Sequence, residues 1–130
     1  MNKARNNELI KLADKKLRDS KMLHGDGISE TYDGKTAALS VSVAMSGLLP
    51  TLAIYFQDYD EEHPDEPCRR NVLNVVAAMI TDKESGNKFK DAEELFRYAI
   101  KKDADLSCLR QEVLDCSIAL KQVVRTYNLV

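Results

Sequence analysis

Two histidines, three cysteines and one acidic run are the residues of this chain that could support bond-making chemistry, and their spacing argues against each. His24 and His63 lie in predicted loops. Neither belongs to a His-Glu-x-x-His pair, which would bring two imidazoles to one helix face around a zinc ion. His24-Gly25-Asp26-Gly27 sets an imidazole beside a carboxylate, but no Ser or Cys stands in a strand–turn–helix elbow to act as nucleophile. Gly25-x-Gly27 lacks the third glycine of a dinucleotide loop and reads as a turn. The run Gln57–Pro67 holds six carboxylates between Asp58 and Glu66 and no Lys or Arg. Asp58, Asp60 and Glu62 alternate as oxygen ligands do in a calcium loop, yet His63 stands where that loop turns on glycine. The run therefore reads as a solvated, extended acidic loop. Cys68, Cys108 and Cys116 are odd in number and widely spaced, with no Cys-x-x-Cys pair. That pattern points away from a disulfide framework or zinc site and toward a reducing compartment. The expectation is a protein with no catalytic residue, no metal and no cofactor.

The cations are more suggestive. Between Lys3 and Lys21 there are seven Lys/Arg (3, 5, 11, 15, 16, 18, 21) against Glu8, Asp14 and Asp19, a local +4. Lys11, Lys15 and Arg18 recur at i, i+4 and i+7, a stripe opposite the apolar Leu9, Ala13 and Leu17. Near the other end, Lys121 and Arg125 are one helical turn apart. Such stripes suit phosphate contact, and equally suit a solvated helix face. The aromatic residues Tyr32, Tyr55, Phe56, Phe89, Phe96 and Tyr98 read as core positions rather than as a base-stacking platform.

The elements that must position these residues fit one domain over 1–130, a length that supports a single real core. The 44% hydrophobic and 31% charged fractions exclude a disordered tail protein. Apolar stretches such as Val75–Ile80 are far too short to span a bilayer. Met1-Asn2-Lys3-Ala4-Arg5 leads into no apolar signal core, so the expected location is the cytoplasm. With 19 Lys+Arg against 21 Asp+Glu the whole surface cannot grip nucleic acid, which leaves a local patch or an assembly.

Periodicity predicts an all-α fold of six helices with short links and no sheet. Leu106, Leu109, Val113, Cys116, Leu120, Val123, Tyr127 and Val130 step by 3 and 4 as an unbroken heptad seam, widened by Leu114, Ile118 and Val124, with Cys108 on its flank. Asp103 or Asp105 serves as its N-cap. Asp91-Ala-Glu-Glu94 opens a short helix with a capping box, after a turn at Ser85-Gly86-Asn87. Another helix covers Cys68–Thr81 behind Pro67, and the first runs from about Asn6 to Leu23. Tyr32–Asp58 is ambiguous: Leu39, Val41 and Val43 alternate as in a strand, while Ala37, Val41, Ala44/Met45 and Leu48 form a helical stripe. No partner strand is evident, so the expectation is helix, ending near Gly47, with Pro50 in the first turn of the next.

The stretch Tyr32-Asp-Gly-Lys35 through the apolar helix to Gly47-Leu48-Leu49-Pro50-Thr51-Leu52-Ala53-Ile54-Tyr55 resembles the hallmark of a known family. That family is the small helical subunit of the type III-B (Cmr) CRISPR effector complex. Glu112-Val-Leu and Ala119-Leu120-Lys121 are similar to its final helix, with Ala119 where the family commonly has Trp and Gln122 where it has Arg. The resemblance implies a compact all-α subunit without catalytic activity. Copies would stack as a minor filament beside the backbone and large subunits, along the guide RNA–target RNA duplex, in antiviral defence. Base pairing reads the sequence in such complexes and protein meets the backbone. Lys35 sits at the family's lysine and Lys121 maps likewise. Arg125, Lys11, Lys15 and Arg18 follow as RNA contacts on charge geometry alone. The alternatives are a helical protein–protein adaptor with no nucleic-acid role and a small hydrolase built on His24 or the acidic loop.

Overall fold

A computed structural model describes residues 3–82 and 88–130, so the turn expected at Ser85-Gly86-Asn87 lies outside the described residues. Among the described residues six helices carry the fold: α1 (Lys3–Arg18), α2 (Glu30–Ser46), α3 (Leu48–Gln57), α4 (Arg69–Asp82), α5 (Ala92–Ala99) and α6 (Leu106–Val124). α4 is the centre, packed against each of the other five. That position explains why Val72, Leu73, Val75, Val76, Ala77, Met79 and Ile80 are all buried, more than one apolar stripe would require.

In Tyr32–Asp58 the helical period wins. Leu39 and Val43 are buried while Val41 between them is 55% exposed, which a strand's alternation forbids. Gly47 separates α2 from α3 at φ 94°, a backbone conformation that a side chain would strain, and its N–H reaches back to the Val43 carbonyl. The expected caps form at Asp91 and Asp105, although Glu94 reaches back to the Lys90 N–H rather than to that of Asp91 as a reciprocal capping box would. Asp91 Oδ1 accepts the Glu94 N–H at 3.1 Å, while Glu94 Oε1 accepts the Lys90 N–H at 2.7 Å. Asp105, not Asp103, caps α6 by accepting the Cys108 N–H at 3.0 Å.

Three details depart from expectation. α1 stops at Arg18 rather than Leu23, because Ser20 takes the Leu17 carbonyl with its hydroxyl (2.7 Å) and then accepts the Met22 N–H (3.1 Å). The seam of α6 breaks at Val124, so Arg125, Tyr127 and Val130 lie beyond the helix. Thr126 Oγ1 competes there for the Val123 carbonyl at 2.7 Å. The chain end then joins a small sheet that periodicity did not foresee. β1 (Leu23–His24) and β2 (Gly27–Ile28) pair antiparallel around Gly25-Asp26, with Gly25 at φ 65°, and β3 (Asn128–Leu129) adds to β2 in parallel. The Val130 N–H donates to Ile28 O, and the Glu30 N–H to Val130 O, both at 2.9 Å. Strands of two residues, the last of them paired about a hundred positions away, leave no local period to read.

α1 is tied to α4 by Lys16 Nζ, 2.8 Å from Asp82 Oδ2, with Lys15 Nζ at 3.9 Å from the same oxygen. The hydrogen bond from Lys16 holds the Asp82 carboxyl below its ordinary value of 3.8. A carboxyl with a depressed folded pKa stabilises the fold above its unfolded pKa, and that contribution is lost as pH falls through the folded value. Asp82→Asn is therefore expected to lower the urea midpoint at neutral pH, by less than about 1 kcal/mol for so exposed a pair. The difference between variant and parent should shrink as pH falls below 3.8 and the folded carboxyl takes up its proton.

Candidate nucleic-acid interface

Each of the six expected RNA contacts has a definite setting. Leu9, Ala13 and Leu17 are buried, so Lys11, Lys15 and Arg18 occupy the outer side of α1 as the spacing predicts. Arg18 is nevertheless engaged: Nη2 lies 3.0 Å from Asp14 Oδ2, and Nε donates to Tyr127 Oη at 3.2 Å. The Tyr127 hydroxyl in turn donates to Asp14 Oδ1. Arg125 Nε lies 2.9 Å from Asp33 Oδ1, in the first turn of α2. Lys15 has its long contact with Asp82. By contrast, the ammonium groups of Lys11, Lys35 and Lys121 make no ion pair among the described residues. A phosphate meets them without displacing a carboxylate, whereas Arg18 and Arg125 must exchange one partner for another.

Nor do the six converge on one face. Lys35 and Asp33 stand two residues apart, about 200° around the helix. Asp33 is the point where α2 meets Arg125, so Lys35 lies on the other flank of α2 from Lys121 and Arg125. That other flank faces α3, where the Tyr55 hydroxyl donates to the Lys35 carbonyl at 2.6 Å.

The hallmark tyrosines act inside the fold. Tyr32 Oη accepts Asn71 Nδ2 at 2.9 Å and the Cys68 N–H at 3.3 Å, pinning the start of α2 to the start of α4. Burial pushes both the Tyr32 and Tyr55 phenols above their ordinary value of 10.0, so both stay protonated at neutral pH. Thr51 is buried with its hydroxyl 2.8 Å from that of Ser42, and Leu48 and Leu52 fill the core. The hallmark is thus mainly a packing signature, with the half-buried Lys35 as its cation.

The acidic loop does not gather the alternating ligands that its spacing suggests. Asp58 Oδ2 instead accepts the Arg69 N–H at 2.8 Å and meets Arg69 Nη1 at 3.3 Å, where α4 begins. Asp60 Oδ2 pairs with His63 Nδ1 at 2.7 Å, and this bond holds the Asp60 carboxyl below the usual carboxylate range. Asp60, His63 and Glu66 come together in solvent, all exposed. His24 is exposed, and its imidazole touches no carboxylate among the described residues.

One grouping escaped the sequence reading. Phe56 and Phe96 stack with centroids 5.5 Å apart and planes at 22°. The Arg70 guanidinium lies 4.3 Å from the Phe56 ring centroid and 4.7 Å from that of Tyr59, and its Nε donates to Phe56 O at 2.5 Å. Aromatics that looked scattered are thus a short ladder with an arginine inside it. No period could reveal this, because its members come from α3, the acidic loop, α4 and α5.

Residues 5–127 match the family model described as CRISPR-associated protein (Cas_Cmr5). The chain belongs to this family. Comparison with curated proteins and with solved structures returns no match. Membership makes the chain a CRISPR-associated subunit of the Cmr complex, one that associates with other Cmr subunits. The match covers the hallmark stretch and the final helix together, and the helical architecture with a long α6 agrees with what the resemblance implies. Among the described residues, no helix is long and apolar enough to cross a membrane.

Proposed function

We propose that this chain is a non-catalytic small subunit of the type III-B Cmr effector complex, acting as one domain in the cytoplasm. Copies stack head to tail into a minor filament beside the backbone and large subunits. They help to hold the guide RNA–target RNA duplex through its phosphates. The family match over residues 5–127 is the observation that carries this reading. Lys11, Lys35 and Lys121 supply cations free of ion pairs among the described residues, and Lys15, Arg18 and Arg125 are further cations held on carboxylates. A few weak cationic contacts per protomer are enough when stacking presents many of them together. Val41, Met45 and Ile54, exposed by 55%, 82% and 47%, supply apolar surface on α2 and α3 of the kind that subunit docking buries.

Native pull-down of the tagged subunit from its own cells tests the proposal. The expected result is co-purification of Cmr backbone and large subunits together with RNA of guide length. Protein partners recovered with no such RNA, from a preparation protected from ribonuclease, would establish the adaptor reading in its place.

A further inference from the structure

The aromatic–arginine ladder opens onto a cleft of about 450 Å³ lined by Phe56, Tyr59, Arg70, Asn71, Asn74 and Lys21. A second cleft of about 370 Å³ shares Lys21, Asn71 and Asn74 and continues along α4 to Ala78. A volume of this order holds a small ligand. Phe56, Tyr59 and Arg70 are partly buried, and the bond from Arg70 Nε to the Phe56 carbonyl sets the guanidinium plane in advance. Asn71 has committed its Nδ2 to Tyr32 and Asn74 its Oδ1 to the Ala92 N–H at 2.8 Å. One amide acceptor and one amide donor therefore stay uncommitted on adjacent turns of α4, among the described residues.

Charge selects the occupant. Lys21 and Arg70 face Glu61, Asp91 and Glu93 in the same cleft, so a phosphate seated inside would meet three carboxylates. A neutral flat ring with hydrogen-bonding edges has no such conflict. It stacks on the end of the ladder, at the Tyr59 ring that Arg70 backs, and reads the amides by its edge, as unpaired bases do on proteins. We propose that this cleft binds one unstacked nucleobase. The site rests on the RNA reading above for its natural source, and it uses none of Lys35, Lys121 or the outer α1 stripe.

The full chain is titrated with fluorescent oligoadenylate and oligouridylate hexamers, a blunt RNA duplex, and nucleoside monophosphates. Saturable binding of a hexamer is expected, with the duplex at least about tenfold weaker because its bases are already stacked. Tyr59→Leu is expected to weaken hexamer binding by about tenfold or more. Tyr59 lies on a loop, so an unchanged melting temperature separates loss of stacking from loss of fold. Arg70→Lys, which keeps the charge and removes the plane, should weaken binding similarly. Because the base is neutral, the part of the affinity that Tyr59→Leu removes should depend only weakly on salt. A monophosphate that binds with the same Tyr59 dependence also supports the cleft and identifies free nucleotide as a source. Hexamer binding unchanged in both variants overturns the proposal, as does the absence of saturable binding by any probe. Binding lost on lysine reversal at 35 and 121 but kept in Tyr59→Leu removes the cleft while leaving the Cmr reading intact.

Discussion

Reversing Lys35 and Lys121 together to Glu is expected to lower the assembled complex's affinity for target RNA by at least about tenfold at physiological salt, with the free subunit still folded. Neither ammonium group is in an ion pair among the described residues, so the change leaves no carboxylate without its partner. The salt dependence carries a second signature. Each lost phosphate contact on a single strand removes about 0.7 from the slope of log affinity against log salt, so two per protomer remove about 1.4 for each copy engaged. The single variants decide geometry, because the two lysines flank α2 on different sides. If one face meets RNA, only one of them weakens binding and the other matches the parent. An affinity unchanged across the whole salt titration would strike both positions from the site. Arg125→Glu is a poorer probe, since it would set a new carboxylate against Asp33 and disturb the contact between α2 and α6.

The largest stability difference is expected between neighbours on α2. Leu39→Ala should cost about 2–5 kcal/mol, because it empties a fully buried position between α2 and the rest of the core. Val41→Ala, at a position 55% exposed, should cost less than about 0.5 kcal/mol. Urea unfolding of the two variants measures both. Had this segment been a strand, Leu39 and Val41 would share a face and cost comparable amounts, so equal losses would refute the helix. The comparison needs no RNA and no partner, and it tests the segment on which the family resemblance was first read.

Local patterns determined a good deal of this protein. Six helices, the Asp91 cap, the break at Gly47 and the outward stripe of Lys11, Lys15 and Arg18 all follow from forces within a few residues: amides seeking caps, and apolar side chains recurring every 3.6 positions. The hallmark stretch also placed the chain in its family. Tertiary structure decided the rest, because each remaining feature joins residues that share no local period. The C-terminal seam breaks where Thr126 and the β2 edge compete with the helix for backbone hydrogen bonds. Asp33 and Asp14 turn two expected RNA contacts into ion pairs. Three helices and a loop assemble Phe56, Tyr59, Arg70 and Phe96 into one ladder. Charge and hydropathy along a sequence say what a side chain can offer; only packing says which offers are already taken.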